Sequence, residues 1–173
     1  MKYLVISDIH GIKEYANKIP DIIKKEKPDK IIILGDILFH SALGIGDKEK
    51  SFITAETLNL YKDIIIGIRG NNDYIDDEKQ LDFDLVNAYE ETINGKNFYF
   101  THGHMYNEYN IPDDIDVLVV GHTHMHEIRK TYNLTIVNAG SISLPRGGTK
   151  HSYLVIDDSI KIKDIKGHII EEA

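Results

Sequence analysis

The sequence predicts an α/β protein in which two β-sheets lie face to face with helices outside. Strand-like and helix-like patterns alternate up to residue 68, which favours parallel strands joined by helices. From Asp84 onward, short strands follow one another with turn signals between them, which indicates a β-rich second half. No linker divides the halves, and a chain of 173 residues can bury about 70% of its unfolded surface, so we expect one domain, residues 1–173.

The first half is predicted to contain a β-α-β unit. Lys2–Gly11 begins with an apolar strand that runs directly into a polar turn. Ile12–Lys27 has apolar residues at helical spacing, and Pro20 within it predicts a kink or two consecutive short helices. Lys30–Leu34 is apolar without alternation, as expected of a strand that is buried on both faces.

A loop, a helix and a third parallel strand complete this half. Ile37–Lys50 contains two glycines and no clear period, so we expect a loop at the rim of a site. It lacks the glycine motifs of nucleotide-binding loops, which excludes that class of site. Ser51–Lys62 is predicted to be helical and Asp63–Ile68 to be a strand. The helix is expected to bury three residues: Ile53, Leu60 and Tyr61.

The β-rich half is predicted to begin with a hairpin. Asp84–Ile93 and Lys96–Thr101 flank the dipeptide Asn94-Gly95, which is typical of a two-residue hairpin turn. A helical turn is expected near Pro112–Ile115. The remaining apolar runs predict five further strands: Asp116–Val120, Glu127–Tyr132, Thr135–Val137, Tyr153–Asp157 and Lys161–Ile165.

Composition limits the partners and the chemistry of the protein. The net charge of −8 would repel a nucleic-acid backbone or an anionic membrane, so we expect neither as a partner. Cysteine is absent, so any metal must be held by imidazole, carboxylate or amide groups. The apolar runs are too short to span a bilayer, and a strand that starts at residue 2 leaves no room for a signal peptide. We therefore expect a cytoplasmic protein, and the sequence leaves a homo-oligomer open.

Five predicted strands end in side chains that can bind metals. Asp8 and His10 stand two apart after the first strand, and side chains two apart on an extended backbone point to the same face. Alone, such a pair is more often a turn or a helix cap than a metal site. The pattern recurs after four more apolar runs, however, and loops at the carboxyl edge of an α/β sheet gather over one crevice. The candidate ligands are Asp8, His10, Asp36, Asn71, His102, His122 and His124.

Seven ligands are too many for one metal ion. A tetrahedral zinc site takes three or four, whereas two ions that share a bridging carboxylate would use all seven. Asp36 is the natural bridge. Nitrogen and oxygen donors without sulfur suit Mn, Fe, Co, Ni or Zn and suit a dedicated calcium or magnesium cage poorly.

The ordered motifs resemble those of the calcineurin-like metallophosphoesterase superfamily. The five matching blocks are Asp8-Ile9-His10, Gly35-Asp36, Gly70-Asn71-Asn72-Asp73, Thr101-His102-Gly103 and Gly121-His122-Thr123-His124. The segment Asn138–Arg146 is similar to the small bacterial phosphodiesterase branch of that superfamily.

This resemblance implies a four-layer αββα sandwich and a dinuclear centre. We therefore expect two divalent ions per chain, with Mn first and Zn, Fe, Ni or Co as alternatives. Two residue sets would hold them: Asp8, His10, Asp36 and His124 for one ion, and Asp36, Asn71, His102 and His122 for the other. Two such ions can hold a water between them and lower its pKa to near neutrality. We expect hydrolysis of a small phosphodiester by direct attack of this hydroxide, without a covalent enzyme intermediate.

Further residues are expected to act on the substrate. Asn72 stands where many relatives carry a histidine that stabilises or protonates the departing oxygen. Asparagine cannot give up a proton at neutral pH, so good leaving groups should be favoured unless His104 or His40 takes over. Asp73 is also expected to be one of the catalytic-site residues, where it would orient its neighbours. Arg146 is expected to contact a phosphate oxygen, because its guanidinium suits bidentate anion binding.

Three function classes stay open at this point. The first is a phosphodiesterase, and the second is a phosphomonoesterase or nucleotide phosphatase, which would use the same ions with a different pocket. The third is a catalytically silent binding scaffold, as in a retromer subunit that resembles this fold but has lost ligand residues. A nuclease ranks below these because the chain is short and acidic.

Overall fold

Two mixed β-sheets form the framework of the structure, a computed structural model that describes residues 1–38 and 48–173. The helices are α1 (Lys13–Ala16), α2 (Ile19–Glu26), α3 (Lys48–Asn59) and α4 (Ile75–Glu78), and a 3-10 turn covers Lys62–Ile64. The strands are β1 (Tyr3–Ile6), β2 (Lys30–Ile33), β3 (Ile65–Ile68), β4 (Leu85–Val86), β5 (Ala88–Ile93), β6 (Lys96–Thr101), β7 (Val117–Val120), β8 (Glu127–Lys130), β9 (Thr135–Asn138), β10 (Ser152–Ile156), β11 (Ile160–Asp164) and β12 (Ile169–Glu172).

The larger sheet has the strand order β12-β11-β10-β1-β2-β3-β4, and the smaller one has the order β5-β6-β7-β9-β8. Strands β1 to β4 are parallel, while β10, β11 and β12 pair antiparallel. In the smaller sheet β6, β7 and β9 are parallel, and the two edge strands are antiparallel to their neighbours. The predicted α/β architecture with two mixed sheets is therefore confirmed.

Alternate residues of the central strands bury two different faces. Leu4 of β1 packs in one apolar cluster with Ile19 of α2 and Leu58 of α3. Val5, its neighbour, packs in a second cluster with Phe100 of β6. Because side chains alternate along a strand, helices cover one face of the larger sheet and the smaller sheet covers the other.

The outer face of the smaller sheet is covered by irregular chain. Tyr106 and Ile111 pack there against Leu118 of β7 and Ile136 of β9. The predicted helical turn at Pro112–Ile115 is wrong, because the structure has a non-helical turn there. Among the described residues, no helix has the length and apolar character needed to cross a membrane.

The predicted split of the first helical stretch is confirmed. Helix α1 ends at Ala16, and α2 begins at Ile19 with Pro20 in its first turn, where a missing N–H costs nothing. The hairpin turn is also confirmed, since Asn94 and Gly95 have φ angles of 52° and 77°. Asp84–Ile93, predicted as one strand before this turn, forms two strands instead. Strand β4 pairs with β3 in the larger sheet, and β5 pairs with β6 in the smaller one.

The burial predicted around helix α3 is only partly met: Ile53 is half-buried and Tyr61 packs against the core, but Leu60 does not. Leu60 lies beyond the helix end and is 78% exposed, so its predicted burial is wrong. The fully buried residues of this helix include Thr54, Ala55 and Leu58, which form a stripe of mainly small side chains. Of the loop predicted over residues 37–50, positions 39–47 lie outside the described residues, and Lys48 already belongs to α3.

Candidate metal centre

The loops after β1, β2 and β7 bring four buried ligand-type residues together, and the first two of these loops are joined directly. Backbone hydrogen bonds join the two loops, from Asp8 N to Gly35 O (3.1 Å) and from His10 N to Asp36 O (2.8 Å). One ligand atom from each of four side chains lies within 4.8 Å of all the others, and all four residues are buried: Asp8, His10, Asp36 and His124.

Short distances join nitrogen and oxygen atoms within this group, which we call the first ligand set. His124 Nε2 lies 3.2 Å from Asp8 Oδ1 and 3.2 Å from His10 Nε2. His10 Nε2 lies 3.7 Å from both Asp8 Oδ1 and Asp36 Oδ2. The arrangement matches the set that the sequence motifs assigned to one ion.

The other predicted ligands lie on the opposite side of Asp36 and form the second ligand set. His102 Nε2 is 3.6 Å from Asp36 Oδ1 and 3.0 Å from Asn71 Oδ1. The ring centroids of His122 and His102 are 5.0 Å apart. His102 is buried, whereas Asn71 and His122 are exposed at the rim. Asp36 thus directs one carboxylate oxygen toward each set.

Most candidate ligands have a left-handed backbone conformation. Five of the seven non-glycine residues with positive φ in the described chain belong to the two ligand sets: Asp8, His10, Asp36, His122 and His124. This conformation is strained for L-residues, although Asp and His adopt it more readily than most. Asp8 and His10 therefore converge because of two left-handed turns, not because of the extended backbone assumed from the sequence.

The hydrogen bonds of two histidine rings are compatible with a bound cation. His102 Nδ1 donates to Leu34 O and His124 Nδ1 donates to Leu144 O, each at 2.6 Å. A neutral imidazole that donates through Nδ1 directs a lone pair outward from Nε2. In that form the Nε2 atoms of His102 and His124, which lie 3.0 Å from Asn71 Oδ1 and 3.2 Å from Asp8 Oδ1, are available to bind a cation. Asp8 Oδ1 is also buried and accepts no hydrogen bond among the described residues.

Charges around Asp8 favour its ionised form. Burial alone would raise the pKa of Asp8, but the imidazoles of His10 and His124 outweigh burial and hold that pKa below its usual range. Burial lowers and Asp8 raises the pKa of His124, with a net increase. Partial burial and the neighbouring His102 ring lower the pKa of His122, which favours its neutral, metal-binding form.

The Asp8 carboxylate is also held by hydrogen bonds that were not predicted from the sequence. Its Oδ2 atom accepts from Ser7 Oγ at 2.6 Å and from His122 N at 3.0 Å. Ser7 directly precedes the Asp-x-His motif, and that position was its only signal in the sequence. One carboxylate oxygen is therefore fixed by hydrogen bonds while the other faces the first ligand set.

Asn72 binds the predicted bridging carboxylate instead of facing open space. Its backbone N–H donates to Asp36 Oδ1 and its side-chain Nδ2 donates to Asp36 Oδ2, both at 2.8 Å. The residue is only 7% exposed. Asn72 therefore orients the Asp36 carboxylate through both its backbone N–H and its side-chain amide.

Asp73 connects the loops after β2 and β3. Its carboxylate accepts hydrogen bonds from the backbone N–H groups of Asp36 (2.8 Å), Ile37 (2.8 Å) and Gly70 (2.7 Å). Burial raises the pKa of Asp73 to about 6, although these amides oppose the rise. This geometry agrees with the expectation that Asp73 orients its neighbours and makes it a positioning residue.

Replacing Asp73 with asparagine should destabilise the fold by about 2–4 kcal/mol, because an amide group cannot accept from all three buried N–H groups as well as a carboxylate does. Urea unfolding at pH 7.5 would measure the change. Asp84→Asn is the matched control, since Asp84 is exposed and should stay within about 0.5 kcal/mol of the native chain. Equal stability of both variants would contradict the positioning role.

The remaining predicted residues lie around the site or outside the described chain. His104 is exposed, with its ring centroid 5.2 Å from that of His102 and 6.2 Å from that of His122. Arg146 N donates to His124 O at 3.0 Å, and its exposed guanidinium is close enough to oppose protonation of His124. His40 lies outside the described residues.

The chain is similar to known proteins over most of its length. Residues 1–159 match the calcineurin-like phosphoesterase superfamily domain. The chain is 32% identical over 166 residues to phosphodiesterase YfcE of Escherichia coli strain K12, covering 92% of this chain and 89% of that protein. The solved structure of Yfce, a phosphoesterase from E. coli, has a TM-score of 0.92 at 28% identity and covers 100% of this chain and 98% of that one. Vacuolar Protein Sorting 29 from Cryptosporidium parvum has a TM-score of 0.68 at 16% identity, with 99% and 97% coverage, which supports a shared fold alone.

Proposed function

Because the chain belongs to the calcineurin-like phosphoesterase superfamily, we propose that it is a metal-dependent phosphodiesterase that hydrolyses a small phosphodiester. The observation that carries this proposal is the buried first ligand set, in which His124 Nε2 lies 3.2 Å from both His10 Nε2 and Asp8 Oδ1. A divalent cation among these nitrogen and oxygen atoms would have ligands of the type that transition metals prefer.

Two divalent ions, manganese by preference, are proposed as the cofactor. The first ligand set would hold one, and the second would hold the other. The two oxygens of Asp36 face different sets, at 3.7 Å from His10 Nε2 and 3.6 Å from His102 Nε2, which supports Asp36 as the bridge. When bound, such ions lower the pKa of a coordinated water and stabilise negative charge on phosphoryl oxygens.

The chain's own residues would orient the reacting groups. Asn72 donates hydrogen bonds to the side chain of Asp36, and Asp73 accepts one from the backbone N–H of Asp36. Both residues therefore hold Asp36 in place. Arg146, next to the first set, is proposed to bind a phosphoryl oxygen through its exposed guanidinium. His104, whose ring lies beside the second set, is proposed to hydrogen-bond the departing oxygen, because Asn72 is committed elsewhere.

The proposal includes three further expectations, on domain extent, compartment and substrate class. We propose that residues 1–173 form one domain, that the protein acts in the cytoplasm, and that its substrate is a small molecule rather than nucleic acid. The last follows from the net charge of −8, which disfavours a polyanionic partner.

A substrate comparison tests the proposal. The purified chain, loaded with Mn²⁺, should hydrolyse bis(p-nitrophenyl) phosphate with a higher kcat/KM than p-nitrophenyl phosphate. Both substrates release the same phenolate, so the ratio reports on diester against monoester recognition. A higher kcat/KM for the monoester would favour a phosphomonoesterase. No turnover of either substrate with Mn²⁺, Zn²⁺, Fe²⁺, Ni²⁺ or Co²⁺ would favour a binding scaffold.

A further inference from the structure

The segment between β9 and β10 contacts the backbone of Asp8. Ser141 Oγ donates to Asp8 O at 2.7 Å, and Ser143 Oγ donates to the same carbonyl at 2.8 Å. Ser141 and Ser143 are 0% and 3% exposed, so water does not replace these bonds. A carbonyl oxygen has two lone pairs, and the two hydroxyl groups use both.

These bonds support the left-handed conformation of Asp8. At a φ of 54°, the carbonyl of Asp8 leaves the strand ladder, and no backbone N–H among the described residues donates to it. A buried carbonyl without a donor is unfavourable. The two serine hydroxyls supply the missing donors, so they favour the turn that directs the Asp8 carboxylate toward His124.

The same segment also orients His124. Leu144 O accepts the hydrogen bond from His124 Nδ1, and Leu144 N in turn donates to Ser141 Oγ at 2.8 Å. Ser141 therefore links the backbone of Asp8 to the acceptor that fixes the tautomer of His124. Asp8 and His124, whose Oδ1 and Nε2 atoms lie 3.2 Å apart, therefore both depend on the short segment of residues 141–144.

We propose that Ser141 and Ser143 are positioning residues that set the metal affinity of the first ligand set without touching the metal. The inference rests on the proposed metal-dependent function. Groups that orient metal ligands typically change metal affinity by about 10- to 100-fold when they are removed. We expect the double variant Ser141→Ala/Ser143→Ala to lose affinity within this range.

Titration of the metal-free chain with Mn²⁺ by calorimetry tests this proposal without using activity. The matched control is Ser152→Ala, because Ser152 Oγ is also buried and donates to a backbone carbonyl, that of Ala139, at 2.7 Å. Urea unfolding of each metal-free variant measures the structural cost of losing such a bond. The control should lose stability while its Mn²⁺ dissociation constant stays within about twofold of native, well below the 10- to 100-fold effect expected of ligand-orienting groups.

Three results would overturn the inference. They are native affinity in the double variant, an equal loss of affinity in Ser152→Ala, and a native chain that binds no Mn²⁺, which would also contradict the proposed preference for manganese. Native binding with an unchanged double variant would leave the proposed function standing. If the double variant does not fold, Ser143→Ala alone is measured, because it retains the Ser141 bond to Leu144 N and should still show weakened Mn²⁺ binding.

Discussion

Replacing Asp36 with asparagine should lower kcat/KM for a phosphodiester by about 1,000-fold or more, because a two-metal site supplies several kcal/mol of transition-state stabilisation and each 1.36 kcal/mol is a factor of ten. The substitution removes the charge shared by the two ligand sets while keeping the size of the side chain. It also places an amide group opposite Asn72 Nδ2, which in the native chain donates to a carboxylate oxygen of Asp36. Steady-state kinetics at saturating Mn²⁺ would measure the loss.

The metal content of this variant separates a bridge from an ordinary ligand. We expect the number of bound Mn²⁺ ions per chain, determined by elemental analysis after dialysis, to fall below the native value. Asp84→Asn carries the same chemical change at an exposed position and should leave both activity and metal content unchanged. Native activity with two bound ions in Asp36→Asn would contradict the bridging role.

Removing the metal should abolish phosphodiester hydrolysis and lower the melting temperature. The buried cluster gathers its ligands only in the folded chain, so metal binding favours the folded state. At a free metal concentration about 100 times Kd, binding contributes about 2.7 kcal/mol, which corresponds to a rise in Tm of about 5–10 °C for a chain of this size. Differential scanning calorimetry of the chelated and Mn²⁺-loaded chain measures this difference.

Restoring different metals tests the chemistry of the ligands. Mn²⁺ should recover activity after chelator removal, whereas Mg²⁺ should recover it poorly, because a site rich in imidazole suits transition metals better than an oxygen-preferring ion. Full activity in the presence of excess chelator would contradict metal dependence. So would identical Tm values for the chelated and loaded chains.

The sequence predicted the strands correctly where their burial is reflected in apolar runs. Apart from Lys30, the core strands β2 and β7 are short apolar segments, and their predicted positions match the structure to within one residue. The buried face of α3 was not predictable from hydrophobicity, since Thr54 and Ala55 are buried while Leu60 is exposed. The division between β4 and β5 was missed because the chain changes sheets at Asn87 without a break in its pattern.

The candidate site was predictable as a set of residues but not as a geometry. Recurrence after successive strands identified the seven ligand-type side chains. The acceptors that orient His102 and His124 are the carbonyl groups of Leu34 and Leu144, and a backbone group has no signature in the side-chain sequence. The hydrogen bonds from Asn72 to Asp36 likewise depend on how two loops meet in space.

The left-handed conformation of Asp8, His10, Asp36 and His124 affects how mutagenesis of this centre should be interpreted. Asparagine tolerates that conformation, so an aspartate-to-asparagine change removes a negative charge and leaves the main chain where it was. Alanine tolerates it poorly, so an alanine scan would combine the loss of a ligand with relaxation of the turn that carries it. Asparagine scanning would therefore report the electrostatic contribution of each aspartate more cleanly.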